Sequence, residues 1–169
     1  VKLPRTMRLD PSDNFVFERA AEPGEWAVSG AFVFHGVDAA SLGRKARVAL
    51  RSGFLGIASL GWSTLVEVAE GNDAVVVEQL ADQLMAAFGA VDRASALEAA
   101  RAEVAFAAAL CDHPLGTLIA VHRTPGPEGL AEQFRTLVAR ADRAALPFVA
   151  PGEDDQDHID LTRLVERDR

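Results

Sequence analysis

Apolar and polar positions alternate one by one through the first third of the chain, which is the period of a strand rather than a helix. "RTMRL" and "NFVFERA" are two such runs, separated by the turn formers "DPSD". In the second run Phe15 and Phe17 share one face, and Val16 and Glu18 share the other. "EPGE" follows. Pro23 sets φ for the first central position of a type II turn, and Gly24 takes the positive φ of the second. "EWAVSGAFVF" predicts a third, longer strand, with Gly30 as the place for a bulge.

The period then lengthens. "SLGRKARVALRSG" predicts a short helix capped by Ser41, with Leu42, Ala46 and Leu50 inward and Gly53 at its end. "FLGIASLG" reads as an apolar, glycine-punctuated connector. "WSTLVEVAE" predicts a strand with Trp62, Thr64, Val66 and Val68 on one face. "GNDAVVVEQLADQLMAAFGA" carries the clearest helical pattern. Asn72 or Asp73 caps it, Val77, Leu80, Ala81, Leu84 and Phe88 form its buried stripe, and Gly89 follows in the left-handed position.

Asp92 caps a second long helix, from Arg93 to about Cys111, with Leu97, Ala100, Val104, Ala108 and Cys111 inward and Glu98 paired with Arg101 on the wet face. The short "AVD" connection makes the two helices an antiparallel pair. "GTLIAVHRT" predicts a strand in which Thr117, Ile119, Val121 and Arg123 alternate with Leu118, Ala120, His122 and Thr124. "PGPEGLAEQFRTLVARA" predicts a last helix, with Leu130, Phe134, Leu137 and Ala141 inward. "LPFVAP" reads as extended, "GEDDQDHID" as a solvated acidic linker, and "LTRLVERDR" as an amphipathic turn or two.

The predicted order is β-β-β-α-β-α-α-β-α. Strands come first as a run and helices later, which favours α+β over a parallel α/β fold. The expectation is a mostly antiparallel sheet of about five strands, three of them N-terminal, with about four helices packed mainly on one face. Residues 1–150 form a single domain in this reading, and 151–169 an acidic tail.

Composition narrows the setting. The chain has 169 residues, enough for one core. A single cysteine precludes an intrachain disulfide, and no apolar run has membrane-spanning length, so the cytoplasm is the expected compartment and no membrane partner is expected. A net charge of −8 opposes a phosphate backbone and argues against nucleic acid as a partner.

Candidate chemistry gathers in "CDHPLGTLIAVHRT". Cys111, Asp112, His113 and His122 are the residues around which a pocket could form. A Cys-His pair would need thiol and imidazole within roughly 3 Å. Cys111 instead falls on the helix's apolar stripe, and a helix C-terminus raises a thiol's pKa rather than lowering it. His122 shares a face with Leu118, as a hydrogen-bonded histidine at a core edge would. No HExxH or CxxC spacing occurs, and no phosphate-binding glycine fingerprint, so neither metal nor cofactor is expected. "GRKARVALRSG" is the densest basic segment. Arg44, Arg47 and Arg51 share one helical face with Lys45 offset, fit either to hold an anion or acidic partner, or to pair with the protein's own carboxylates.

"RLDPSDNFVFERAAEPGEWAVSGAF", "RSGFLGIASLGWSTLVEV" and "LCDHPLGTLIAVHRT" together resemble an uncharacterised family of bacterial hypothetical proteins, over about Arg8 to Val149. The resemblance implies a whole-chain, single-domain bacterial cytoplasmic protein, and no substrate or catalytic residue. The functional expectation is a non-catalytic binding or accessory protein. The alternative is an enzyme or small-ligand binder using Cys111, His113 and His122. A homodimer or protein partner is expected to use an uncovered sheet face or the connector Phe54 to Leu60.

Overall fold

A computed structural model describes residues 1–8 and 13–137. The expected extended segment "LPFVAP", the acidic linker and the tail 151–169 lie outside the described residues. The fold is α+β, but its strands form two antiparallel sheets instead of one.

The larger sheet has four strands: β1 (Lys2–Met7), β5 (Leu65–Glu70), β6 (Leu118–Gly126) and β7 (Gly129–Leu137), in that order. β1 runs antiparallel to β5 from Lys2 opposite Glu70 to Met7 opposite Leu65. β5 pairs with β6, and β6 with β7. The smaller sheet is β2 (Ala27–Val28), β3 (Phe54–Gly56) and β4 (Trp62–Ser63).

Four expectations change at this level. "NFVFERA" is not a strand: Asp13–Val16 form one turn of helix, α1, and Phe17 goes into the core while Phe15 is exposed. The long strand from Trp26 stops after Val28, because Gly30 turns left-handed (φ +77) and the chain enters a 3-10 turn over Ala31–Phe34. "WSTLVEVAE" divides at Thr64. Trp62 and Ser63 pair with β3, whereas Val66 and Val68 bury in the larger sheet. The connector before it is buried strand and turn, with Phe54, Leu55 and Ile57 all within 1 % of fully covered, so these three side chains offer no partner a surface.

The largest departure is the last predicted helix, which is β7. Gly126 and Gly129 face each other across a two-residue turn, and Arg123 lies opposite Glu132. Leu130, Glu132 and Phe134 then share one half-buried face at strand spacing. Phe134 meets Phe54 and Phe106, with ring centroids 6.2 and 5.9 Å apart. Helical spacing of Leu130, Phe134 and Leu137 loses to this hairpin because Glu132, polar in the helical reading, has a buried cation waiting for it.

The helices follow their signals more closely. α2 spans Arg44–Ser52, starting after Gly43 rather than Ser41. α3 spans Asp73–Ala87, with the Asn72 side chain accepting from the backbone N–H groups of Ala74 and Val75. α4 spans Arg93–Leu110, capped by Asp92, which accepts from Ser95 N at 2.7 Å. Val76, Leu80, Ala81 and Leu84 of α3 meet Ala96, Ala100, Val104 and Ala107 of α4 over Leu3, Val28, Leu55 and Ile57. The small residues of α4 let the helices approach closely, and each buried leucine contributes about 2 kcal/mol. Val77 and Phe88 sit nearer the edge than the pattern implies. Arg93, rather than a Glu98–Arg101 pair, supplies the ion pairs of this layer, bridging Glu78 and Asp82 of α3.

Candidate functional site

The residues of "CDHP" separate in the fold. Cys111 terminates α4 and is fully buried among Ala27, Phe54, Val66, Val68, Ile119 and Val121. Burial pushes its thiol up to about 11, with Lys2 acting weakly in the other direction. Asp112 is exposed and His113 half-buried. The contacts here are backbone ones: His113 N–H donates to the Cys111 carbonyl at 2.7 Å, and Lys2 Nζ donates to the His113 carbonyl at 2.8 Å. His122 is exposed on β6, not at a core edge. Neither cavity described below is lined by any of these four residues. Among the described residues no three His, Cys, Asp or Glu side chains gather as a metal site.

Arg44, Lys45, Arg47 and Arg51 are exposed on α2. Arg47 Nε donates to the Leu42 carbonyl at 2.8 Å, and none of the four forms an ion pair with another described residue. Lys45 lines the smaller of the two cavities.

The side chain that organises this half of the molecule is Arg123, which alternation puts on one face with Ile119 and Val121, opposite the face of His122. Thr117, Ile119 and Val121 point inward, and Arg123 continues their phase, 1 % exposed. Its Nε donates to Glu132 Oε2 at 2.8 Å. Nη1 donates to the carbonyls of Gly53, Leu50 and Ala49 at 2.7, 3.2 and 3.4 Å, and Nη2 to the Ser29 carbonyl and hydroxyl. Ser29 Oγ in turn donates to Glu132 Oε2 at 2.5 Å. The guanidinium thus caps the C-terminal carbonyls of α2, where a cation is favoured, from a neighbouring strand. Burial pulls its pKa down, and Glu132 works against that. The available signal was the inward phase itself, with an acid placed opposite by the "GPEG" turn.

Above this network lies a cleft of about 630 Å³, between the loop Ala31–Ala39 and the β6–β7 turn. Phe32, Phe34, Leu50 and Leu130 supply its apolar surface. Asp38, Glu103 and Glu128 bring carboxylates and His35 an imidazole, and its lining includes no lysine or arginine. Glu103 reaches it from α4. Burial pushes the Glu103 carboxyl above its ordinary value, the Glu132 carboxylate adds to the shift, and Arg123 opposes it. The arrangement combines a concave apolar surface with a half-buried acid whose charge is under-solvated. Such a site suits a ligand with an apolar body and a positive group.

Among the described residues no helix is long and apolar enough to cross a membrane. No curated protein and no solved structure matches the chain. One family model does, over residues 1–152, described as a family of unknown function, DUF6505. With most of its length inside that match, the chain belongs to the DUF6505 family.

Proposed function

We propose that this chain is a non-catalytic cytoplasmic binding or accessory protein, and that it takes a small amine-bearing ligand in the cleft between Ala31–Ala39 and the β6–β7 turn. One observation carries the reading: Glu103, half-buried in that cleft, has its charge opposed by burial and by Glu132, and the cation beneath it, Arg123, is already engaged with Glu132, Ser29 and the end of α2. A ligand ammonium beside Glu103 replaces the missing solvation, while Phe32, Phe34 and Leu130 cover its apolar body. The chain's acidic balance supports the same sign of ligand. The reading built on Cys111, His113 and His122 has weaker support, because Cys111 is buried with a raised thiol pKa and His122 faces solvent.

Amide NMR titration tests this reading. Benzylamine should shift the resonances of residues 31–39 and 126–130 saturably, and benzyl alcohol should do so far more weakly. Glu103→Gln should weaken benzylamine about tenfold, the worth of one charge-assisted contact. Equal responses to amine and alcohol, or no saturable shift in these segments, would sink the proposal.

A further inference from the structure

Phe34 lines a second cavity as well, of about 370 Å³, whose electrostatics are opposite to those of the cleft. Two cations line it, Arg19 and Lys45, against one acid, Glu18. Its apolar surface comes from Trp62, Leu60, Val33 and Ala46. Lys45 belongs to the first turn of α2, which contains no acid and follows a glycine without a capping side chain, so the positive end of the helix adds to the field.

The apolar wall is held in place from several directions. Gly53 and Gly30 admit the Trp62 ring edge: a Cβ on either would lie 2.7 Å from Cε3 or 3.0 Å from Cζ3. The indole stacks on Phe34, with centroids 5.2 Å apart and planes at 27°. Leu60 adopts a left-handed conformation, φ +56, that residues other than glycine take up uncommonly. The loop around it is pinned on both sides. Ser59 N and Oγ donate to the Glu25 carboxylate at 2.8 and 2.5 Å, Gln83 Nε2 donates to the carbonyls of Ile57 and Ala58, and Arg19 Nη1 donates to the Ser59 carbonyl at 3.2 Å. These contacts hold the Leu60 backbone, and with it the wall of the cavity, in one geometry.

We propose that this cavity is a second site, for a small carboxylate with a flat apolar body. The ring lies against Trp62 and Leu60, and the carboxylate is drawn by Lys45 and Arg19. The site does not depend on the amine-binding reading of the cleft, and its test keeps the two apart.

The full-length chain is titrated with benzoate and with benzyl alcohol, following the Trp62 indole N–H and the amides of residues 44–46 by NMR. Benzoate should shift them saturably and benzyl alcohol at least tenfold more weakly. Lys45→Gln should weaken benzoate about tenfold, as Arg19→Gln should, and raised salt should weaken it further because both cations are exposed. Glu103→Gln should leave benzoate binding unchanged. Lys45 makes no hydrogen bond or ion pair with another described residue, so Lys45→Gln keeps the test sound if the Arg19 variant loosens its loop. The proposal is overturned by equal binding of benzoate and benzyl alcohol, by no saturable shift, by benzoate binding indifferent to Lys45→Gln, or by Glu103→Gln weakening it as much as Lys45→Gln does.

Discussion

Arg123 and Glu132 stand directly opposite each other across the β6–β7 ladder, joined Nε to Oε2 at 2.8 Å, with the arginine side chain fully covered and the carboxylate only partly so. One ion pair thereby binds four pieces of the chain: β6, β7, the end of α2 and the Ser29 segment. A buried pair of this kind adds little net stability over an apolar replacement, but removing one partner strands the other.

Arg123→Met should therefore destabilise the protein by about 3–5 kcal/mol, since Glu132, Ser29 and the α2 carbonyls lose their donor together. The double change Arg123→Met with Glu132→Leu should recover a clear part of that loss. Urea unfolding of the single and double variants measures the coupling. A single variant as stable as the parent would contradict the network.

Glu103 sets a pH dependence of definite sign. Its folded pKa lies above its unfolded one, chiefly through burial and then through Glu132. The folded state holds the proton more tightly, so this group's contribution is fully present below the unfolded value. It is lost as pH rises from the unfolded value to the raised folded one. Glu103→Gln should raise the melting temperature at neutral pH and leave it nearly unchanged at pH values where the glutamate is protonated in both states. Thermal unfolding at both pH values checks this. A Gln variant less stable at neutral pH would reverse the assignment.

Cys111 should resist thiol reagents in the native protein. Its side chain is covered, and with a pKa of about 11 only a few thiols in ten thousand, roughly, are ionised near pH 7.5. Reaction with an aromatic disulfide reagent should be slower than in denaturant by about a hundredfold or more. Native labelling at the denatured rate would show that the α4 terminus opens readily.

Two glycines with similar positive φ should respond differently to alanine. At Gly30, φ is +77 and a Cβ would stand 2.6 Å from Leu55 Cβ, so strain and overlap combine. Gly30→Ala should cost about 2–5 kcal/mol. At Gly24, φ is +85 but a Cβ would meet nothing within 4 Å beyond its chain neighbours, so Gly24→Ala should cost about 1–2 kcal/mol from the backbone alone. Chemical denaturation of the two variants ranks them. Equal losses would mean that contact at Gly30 is relieved by movement of Leu55.

Local pattern alone determined those elements whose residues find their partners nearby. Asn72 and Asp92 cap their helices within three residues of themselves, and Gly89 takes its left-handed turn (φ +70) because the helix has ended. The alternation from Thr117 to Arg123 separated the two faces of β6, but it put His122 at a core edge when the buried face is the one that carries Arg123. What pattern could not settle was which inward position carried the chemistry. Arg123 is tolerated inside only because Glu132, Ser29 and the end of α2 meet around it, and five of its hydrogen bonds span 70 to 94 residues of sequence. The same holds for β7. Residues 129–137 fit a helix by spacing and a strand by spacing, and the choice fell to the hairpin that brings Glu132 opposite Arg123 and Phe134 onto Phe54. The cleft and the smaller cavity are likewise products of tertiary structure. Each is lined by segments distant in sequence around Phe34, a residue whose place follows from the left-handed turn at Gly30 closing against Leu55 and Trp62.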